Sequence, residues 1–157
     1  MKIDDRIWDI IVTDAQEASA DEPVMEAFFQ AAILNHDSLE AALSYHLAEK
    51  LGSPKVPVEP LSIVIAEALR ADPSIGRCIR LDIEAYFERD AACERRITPI
   101  LFFKGFHALQ LQRVSHWLWQ HDRSTLALFF QNKISETFSI DIHPGASIGS
   151  GIMIDHG

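Results

Sequence analysis

Ile142, Ile148 and Ile154 recur every six residues near the C-terminal end of the sequence. That interval fits neither the period of about 3.6 of an α-helix nor the period of about two of a half-buried strand. It is the signature of a hexapeptide β-helix, in which each hexad forms one flat face and one corner of a three-sided prism. The aliphatic residue at the head of each hexad fills the interior. Ala146 and Ile152, four positions after the first two isoleucines, are also suited to face inward. Gly145, Gly149 and Gly151 suit tight corners, where the backbone needs permissive angles. Three hexads make only one turn of such a prism, and a solenoid buries its core between neighbouring coils. The expectation is a chain cut off from a longer product that continues past Gly157. A pair of short strands in an α+β fold accounts for the same isoleucines and stays open on periodicity alone.

Everything before residue 140 reads as helix. Ile7, Trp8, Ile11 and Val12 predict a helix over about 4–18. Pro23 opens a second, with Met25, Phe28, Phe29, Ala32 and Ile33 on its inner side. Asp37 and Glu40 resemble a capping box for a third helix that ends near Gly52. Pro54 and Pro57 make the next stretch a loop. A helix is expected over about 60–71. Asp72 as cap and Pro73 at the first helical position start another, which runs to about Phe87. Residues 88–98 are polar and read as a connection. Pro99 opens one long helix holding Phe102, Phe103, Phe106, Leu109, Val114, Trp117 and Leu118, apolar over more than one stripe and so central to the bundle. Ser124 caps a last helix from Leu126 to about Phe138. The fold class is therefore mostly α, with a multi-helix domain over 1–139 and the start of a β-helix over 140–157.

Composition narrows the function. A formal net charge of -9 argues against a nucleic-acid or anionic-membrane binder, since both need a basic footprint. Arg95-Arg96 is the densest basic pair and is too short to be a patch. Lys2, Asp4, Asp5 and Arg6 interrupt any signal-peptide core, and no apolar run approaches the roughly 18 residues of a membrane span. Cys78 and Cys93 form no metal-ligand spacing and read as buried thiols in a reducing, cytoplasmic setting. His46, His107, His116 and His121 lack the spacing of a zinc helix and read as structural or surface histidines, so no metal is expected.

Motifs at three places carry a resemblance. The segment Thr98-Pro99 through Lys104-Gly105-Phe106-His107-Ala108-Leu109-Gln110 to His116-Trp117-Leu118-Trp119 resembles the long helix of serine acetyltransferases. Ala41-Ala42-Leu43-Ser44-Tyr45 and the Leu47–Leu51 stretch are similar to that family's N-terminal domain. Asp141-Ile142-His143-Pro144, with Gly151-Ile152-Met153-Ile154-Asp155-His156, resembles its entry into a left-handed parallel β-helix. The resemblance implies acetyl transfer from acetyl-CoA, a co-substrate rather than a permanently bound cofactor, to the hydroxyl of L-serine, giving O-acetylserine for cysteine synthesis. It places His156 as catalytic base, Asp141 as the carboxylate paired with it, and Asp90 and Asp155 as holders of the amino acid. Ala91 follows Asp90 where the family often has proline. His143 is read as a structural position rather than a catalyst.

The resemblance also implies a homo-oligomer built as two trimers, inhibition by L-cysteine, and, in the full-length protein only, docking to O-acetylserine sulfhydrylase. A second active-site histidine, an arginine for the serine carboxylate and the CoA-binding surface are expected beyond residue 157. The 157-residue chain by itself is therefore expected to show little or no turnover. Two alternatives stand beside the enzyme. One is a non-catalytic helical assembly domain. The other is a different hexapeptide acyltransferase acting on a sugar or homoserine, which the long helical domain argues against.

Overall fold

A computed structural model describes residues 5–157. Asp5 caps the first helix, α1 (Arg6–Asp21), by accepting the Trp8 N–H at 3.2 Å; residue 4, where the expected helix began, lies outside the described residues. A 3₁₀ turn at Pro23–Met25 leads into α2 (Glu26–Phe29) and a π-helical turn at Gln30–Leu34. The remaining helices are α3 (Leu39–Leu51), α4 (Val58–Ala71), α5 (Pro73–Arg89), α6 (Ile97–Phe102), α7 (Lys104–Gln120) and α8 (Ser124–Phe138). None is long and apolar enough to cross a membrane.

The expected helices form, and their errors are local. Ser38, not Asp37, caps α3, because its hydroxyl reaches the Ala41 N–H at 3.1 Å. Asp72 caps α5 through the Ser74 N–H, with Pro73 in the first turn. At α8 the cap position belongs to Arg123, and Ser124 is already helical without a side-chain cap. The second helix is not continuous: the π turn, closed by Asn35 N–H donating to Gln30 O at 2.9 Å, adds a residue to the turn. The inner face shifts with it. Phe29, Ala32 and Ile33 are buried, whereas Phe28 is pushed to the surface and stacks on Phe102 at 6.2 Å.

The helix expected from Pro99 is two helices. It begins at Ile97, with Pro99 in the first turn where a missing N–H is harmless. It breaks at Phe103, whose φ of -101° and ψ of 108° are extended. The break frees α7 to run through the middle of the molecule, packed most extensively against α8. Every residue from Gly105 to Ser115 is buried. Phe106, Leu109, Leu111 and Leu118 are sealed from solvent, each worth roughly 1.5–3 kcal/mol of burial. The same helix buries His107, Gln110, Gln112, Arg113 and Ser115, so it carries polar groups that need partners.

His107, Gln110 and Ser115 find theirs on the helices, whereas Gln112 and Arg113 reach into the tail. Helix α8 ends with Ser139 in the left-handed conformation at φ 59°. The chain beyond it is extended, and no strand occurs among the described residues. The fully formed β-segments expected for 140–157 are therefore absent. The physical reason is that ladder hydrogen bonds in a solenoid run to the next coil, and a single circuit has none. The tail does double back on itself: a Cβ at Gly157 would lie 2.9 Å from Ser139 O. Ile142, Ile148 and Ile154 are half-buried, and Ile142 and Ile154 pack on the helical core.

Candidate active site

The tail is tied down by side chains of α5 and α7. Gln112 Nε2 donates to Ala146 O at 2.9 Å, and His116 Nδ1 donates to Pro144 O at 2.8 Å. Arg113 donates to Ile148 O and Gly149 O. From α5, Asp82 Oδ1 accepts the Ile152 N–H at 2.9 Å, Tyr86 Oη bonds both the N–H and the carbonyl of Ile154, and Arg89 donates to Gly151 O at 2.8 Å. Burial, reinforced by the charges of Asp82, Asp155 and Asp90, pushes the Tyr86 phenol up to about 12. It therefore keeps the proton it donates.

This anchoring brings Asp155 and His156 to the loop after α5. Asp90 ends α5, and its carboxylate accepts the Ala92 N–H at 2.9 Å. The loop is held by Arg95, which reaches Asp14 O and Glu17, and by Arg96, which grips Glu84 through two nitrogens and covers the Phe87 ring at 4.0 Å. The densest basic pair in the sequence is thus absorbed by intramolecular contacts. Cys93 is buried beside it, its thiol pushed up to about 11 by burial and the nearby Asp90 charge, and so is inert as a nucleophile.

Asp90, Asp155 and His156 line one open cleft of about 240 Å³ with Ala92, Phe102, Phe103 and Lys104. It is smaller than the pockets of about 300–1,000 Å³ that take drug-sized ligands, so it suits a small substrate. His156 Nε2 stands 3.8 Å from Asp155 Oδ1, with the imidazole 86% exposed. Lys104 opens α7 and lines the same cleft as the two carboxylates. Two acids, an imidazole and an ammonium around a half-apolar hollow can bind a zwitterion and move a proton.

Asp141 is not in this cleft. Its carboxylate accepts from Gln131 Nε2 at 2.9 Å and lines a depression on α8 with Leu128 and Ser135. His143 uses Nδ1 to accept the Gly145 N–H and sets its ring edge-on to Trp119 at 4.8 Å. Sequence reasoning missed Tyr86, Gly105, Lys104 and the Phe102–Phe103 wall. The signal available was polar residues on otherwise apolar helices: Asp82 among Ile79, Ile83 and Tyr86, and Gln110, Gln112 and Arg113 along α7.

The sequence profile described as "Serine acetyltransferase, N-terminal" matches residues 7–111. A serine acetyltransferase of Haemophilus influenzae is 47% identical over 150 residues, which is 96% of this chain and 56% of that protein. The chain belongs to the serine acetyltransferase family. A Neisseria gonorrhoeae serine acetyltransferase solved in complex with serine superposes with a TM-score of 0.94 at 43% identity, over 99% of this chain and 64% of that one. Two further serine acetyltransferase structures, one a complex with CoA and one with cysteine, each align at a TM-score of 0.93 and 47% identity. Both cover 96% of this chain, and 64% and 62% of theirs. The chain thus spans a little over half the length of the Haemophilus relative.

Proposed function

We propose that this chain is the helical part and first β-helical coil of a serine O-acetyltransferase, which moves acetyl from acetyl-CoA to the L-serine hydroxyl and yields O-acetylserine for cysteine synthesis. The carrying observation is the cleft that sets Asp155 and His156 beside Asp90. Supporting it are the serine, CoA and cysteine complexes of its relatives. Residues 1–139 act as the helical domain and 140–157 as the start of the prism; the return of Gly157 to Ser139 supports that division.

In the proposed reaction His156 takes the serine hydroxyl proton as the oxygen attacks the thioester carbonyl. The carbon–sulfur bond then breaks, and the CoA thiolate leaves and takes the proton back from His156. Asp90 and Asp155 hold the substrate ammonium, since a carboxylate suits a cation. Asp141 serves as the partner of the imidazolium. Its carboxylate is exposed and is held by a hydrogen bond from Gln131, so a change of rotamer releases it, and the chain at Gly157 passes the start of the tail. L-cysteine is assigned to the serine site as an inhibitor.

The test is CoA release from acetyl-CoA and L-serine, using the protein extended to the length of its relatives. His156→Ala is expected to slow it by about 10²–10⁴-fold; an unchanged rate overturns the assignment. Preference for a sugar or homoserine over serine rejects the substrate. The 157-residue chain alone is expected to release little or no CoA.

A second reading concerns assembly. Phe28 and Phe102 are stacked and exposed, and Val24, in the turn before α2, is exposed as well. Such an apolar surface supports self-association of the helical domain, whether or not the chain turns over.

A further inference from the structure

Helix α5 presents Asp82, Tyr86 and Arg89 at intervals of four and three residues, which places them on one stripe. All three meet the tail backbone: Asp82 at Ile152, Tyr86 at Ile154 and Arg89 at Gly151. Ile152 and Ile154 direct their N–H groups to the same side, as alternate residues of an extended segment do. The stripe therefore occupies the place that a neighbouring strand takes in a sheet. Asp90, the next residue after Arg89, lines the cleft. One rigid helix thus holds both sides of the cleft.

We propose that Tyr86 is a positioning residue for Asp155 and His156: its phenol locks both polar groups of Ile154 and so fixes where the next two residues stand relative to Asp90. The proposal rests on the assignment of that cleft as the reaction site. The hydroxyl accepts the Ile154 N–H at 3.0 Å and donates to the Ile154 carbonyl at 2.7 Å. A phenol does this because it is donor and acceptor at once. The ring is held in turn by Phe103 at 5.8 Å and Phe106 at 6.0 Å, so the hydroxyl has little freedom. Gly105 makes the approach feasible. A Cβ there would meet Ile154 O at 2.2 Å and the Tyr86 hydroxyl at 3.0 Å. The break at Phe103 places this glycine in the first turn of α7, under the tail.

Tyr86→Phe removes one oxygen and keeps the ring. In the 157-residue chain, amide exchange at Ile154 is expected to rise roughly tenfold, the loss of about one hydrogen bond's protection. The chemical shifts of the His156 ring protons at fixed pH are expected to change, because the ring moves relative to Asp90 and Phe103, while the helical circular dichroism stays as in the parent chain. Unchanged exchange at Ile154 or unchanged His156 ring shifts overturns the proposal. If Tyr86→Phe does not fold, Gly105→Ala serves as the second variant; it keeps the phenol and displaces the Ile154 carbonyl, with the same two readouts expected. A purely packing role for Tyr86 moves the unfolding midpoint but not the His156 ring shifts. The functional assignment fails elsewhere, in acetyl transfer that survives His156→Ala, so the two failures are separable.

Discussion

Asp82 and Arg113 form an ion pair at 2.7 Å from which solvent is excluded, with the carboxylate fully covered and the guanidinium 6% exposed. Removing two charges from water is costly, and attraction alone rarely offsets it. Here the remaining valences are met as well. Asp82 also accepts from Gln110 and the Ile152 N–H, and Arg113 also donates to Gln110, Ile148 O and Gly149 O. The pair joins α5, α7 and the tail in one network.

Breaking that network from one side leaves a buried charge. Arg113→Leu is expected to destabilise the chain by about 3–5 kcal/mol, and the double change Asp82→Leu with Arg113→Leu by less than Arg113→Leu alone. Urea denaturation of the single and double variants checks both statements.

Acid should loosen the core through His107. Burial holds its imidazole down at about 3, while Nε2 donates to Ile100 O at 2.6 Å. The ring faces His46 at 5.5 Å and Phe138 at 5.7 Å. Burial and the Lys50 charge lower His46 in the same sense. As pH falls, the unfolded chain binds the proton first, near the ordinary value of 6.5. Stability is therefore fully present above about 6.5 and is lost as pH falls toward 3. The loss from His107 should reach about 2–3 kcal/mol by pH 4.5. His107→Gln should flatten the dependence of the thermal midpoint on pH between 7 and 4.5.

The cap of α3 separates two neighbouring residues. Ser38→Ala should cost about 1 kcal/mol, since it strands the Ala41 N–H, and Asp37→Ala should be nearly neutral. Equal losses in thermal unfolding would show that Asp37 shares the cap.

Self-association should depend on Phe28 and Phe102. Replacing both by serine is expected to lower the mass seen in light scattering behind a sizing column. The helical content should be retained, because both side chains are exposed. An unchanged mass would place the association surface elsewhere.

Helix periodicity and turn chemistry made most of the fold legible. Asp72-Pro73 marked the start of α5, and the apolar character of α7 marked it as central. What was not legible depended on tertiary partners. Phe103 breaks the helical pattern just before Gly105 passes under Ile154, and no local propensity encodes that contact. The π turn at Gln30–Leu34 likewise turned Phe28 outward without a glycine or proline to announce it. At the cleft, Asp90, Asp155 and His156 were named through the resemblance, and the structure brings them together. Asp141 was named the same way and faces Gln131 instead. Its side chain is exposed, and nothing packs it toward the imidazole.

The tail takes its hydrogen bonds from helices that precede it in the chain, and this imposes an order of events. Strands of a solenoid ordinarily wait for one another, which makes the first coil the slowest to nucleate. Here α5 and α7 are synthesised before residue 140, and domains fold from the N-terminal side as the chain emerges. Once packed, they offer a finished set of donors and acceptors to each new residue of the circuit. The helical part is thus a template laid down in advance, on which the extended tail is ordered as it emerges.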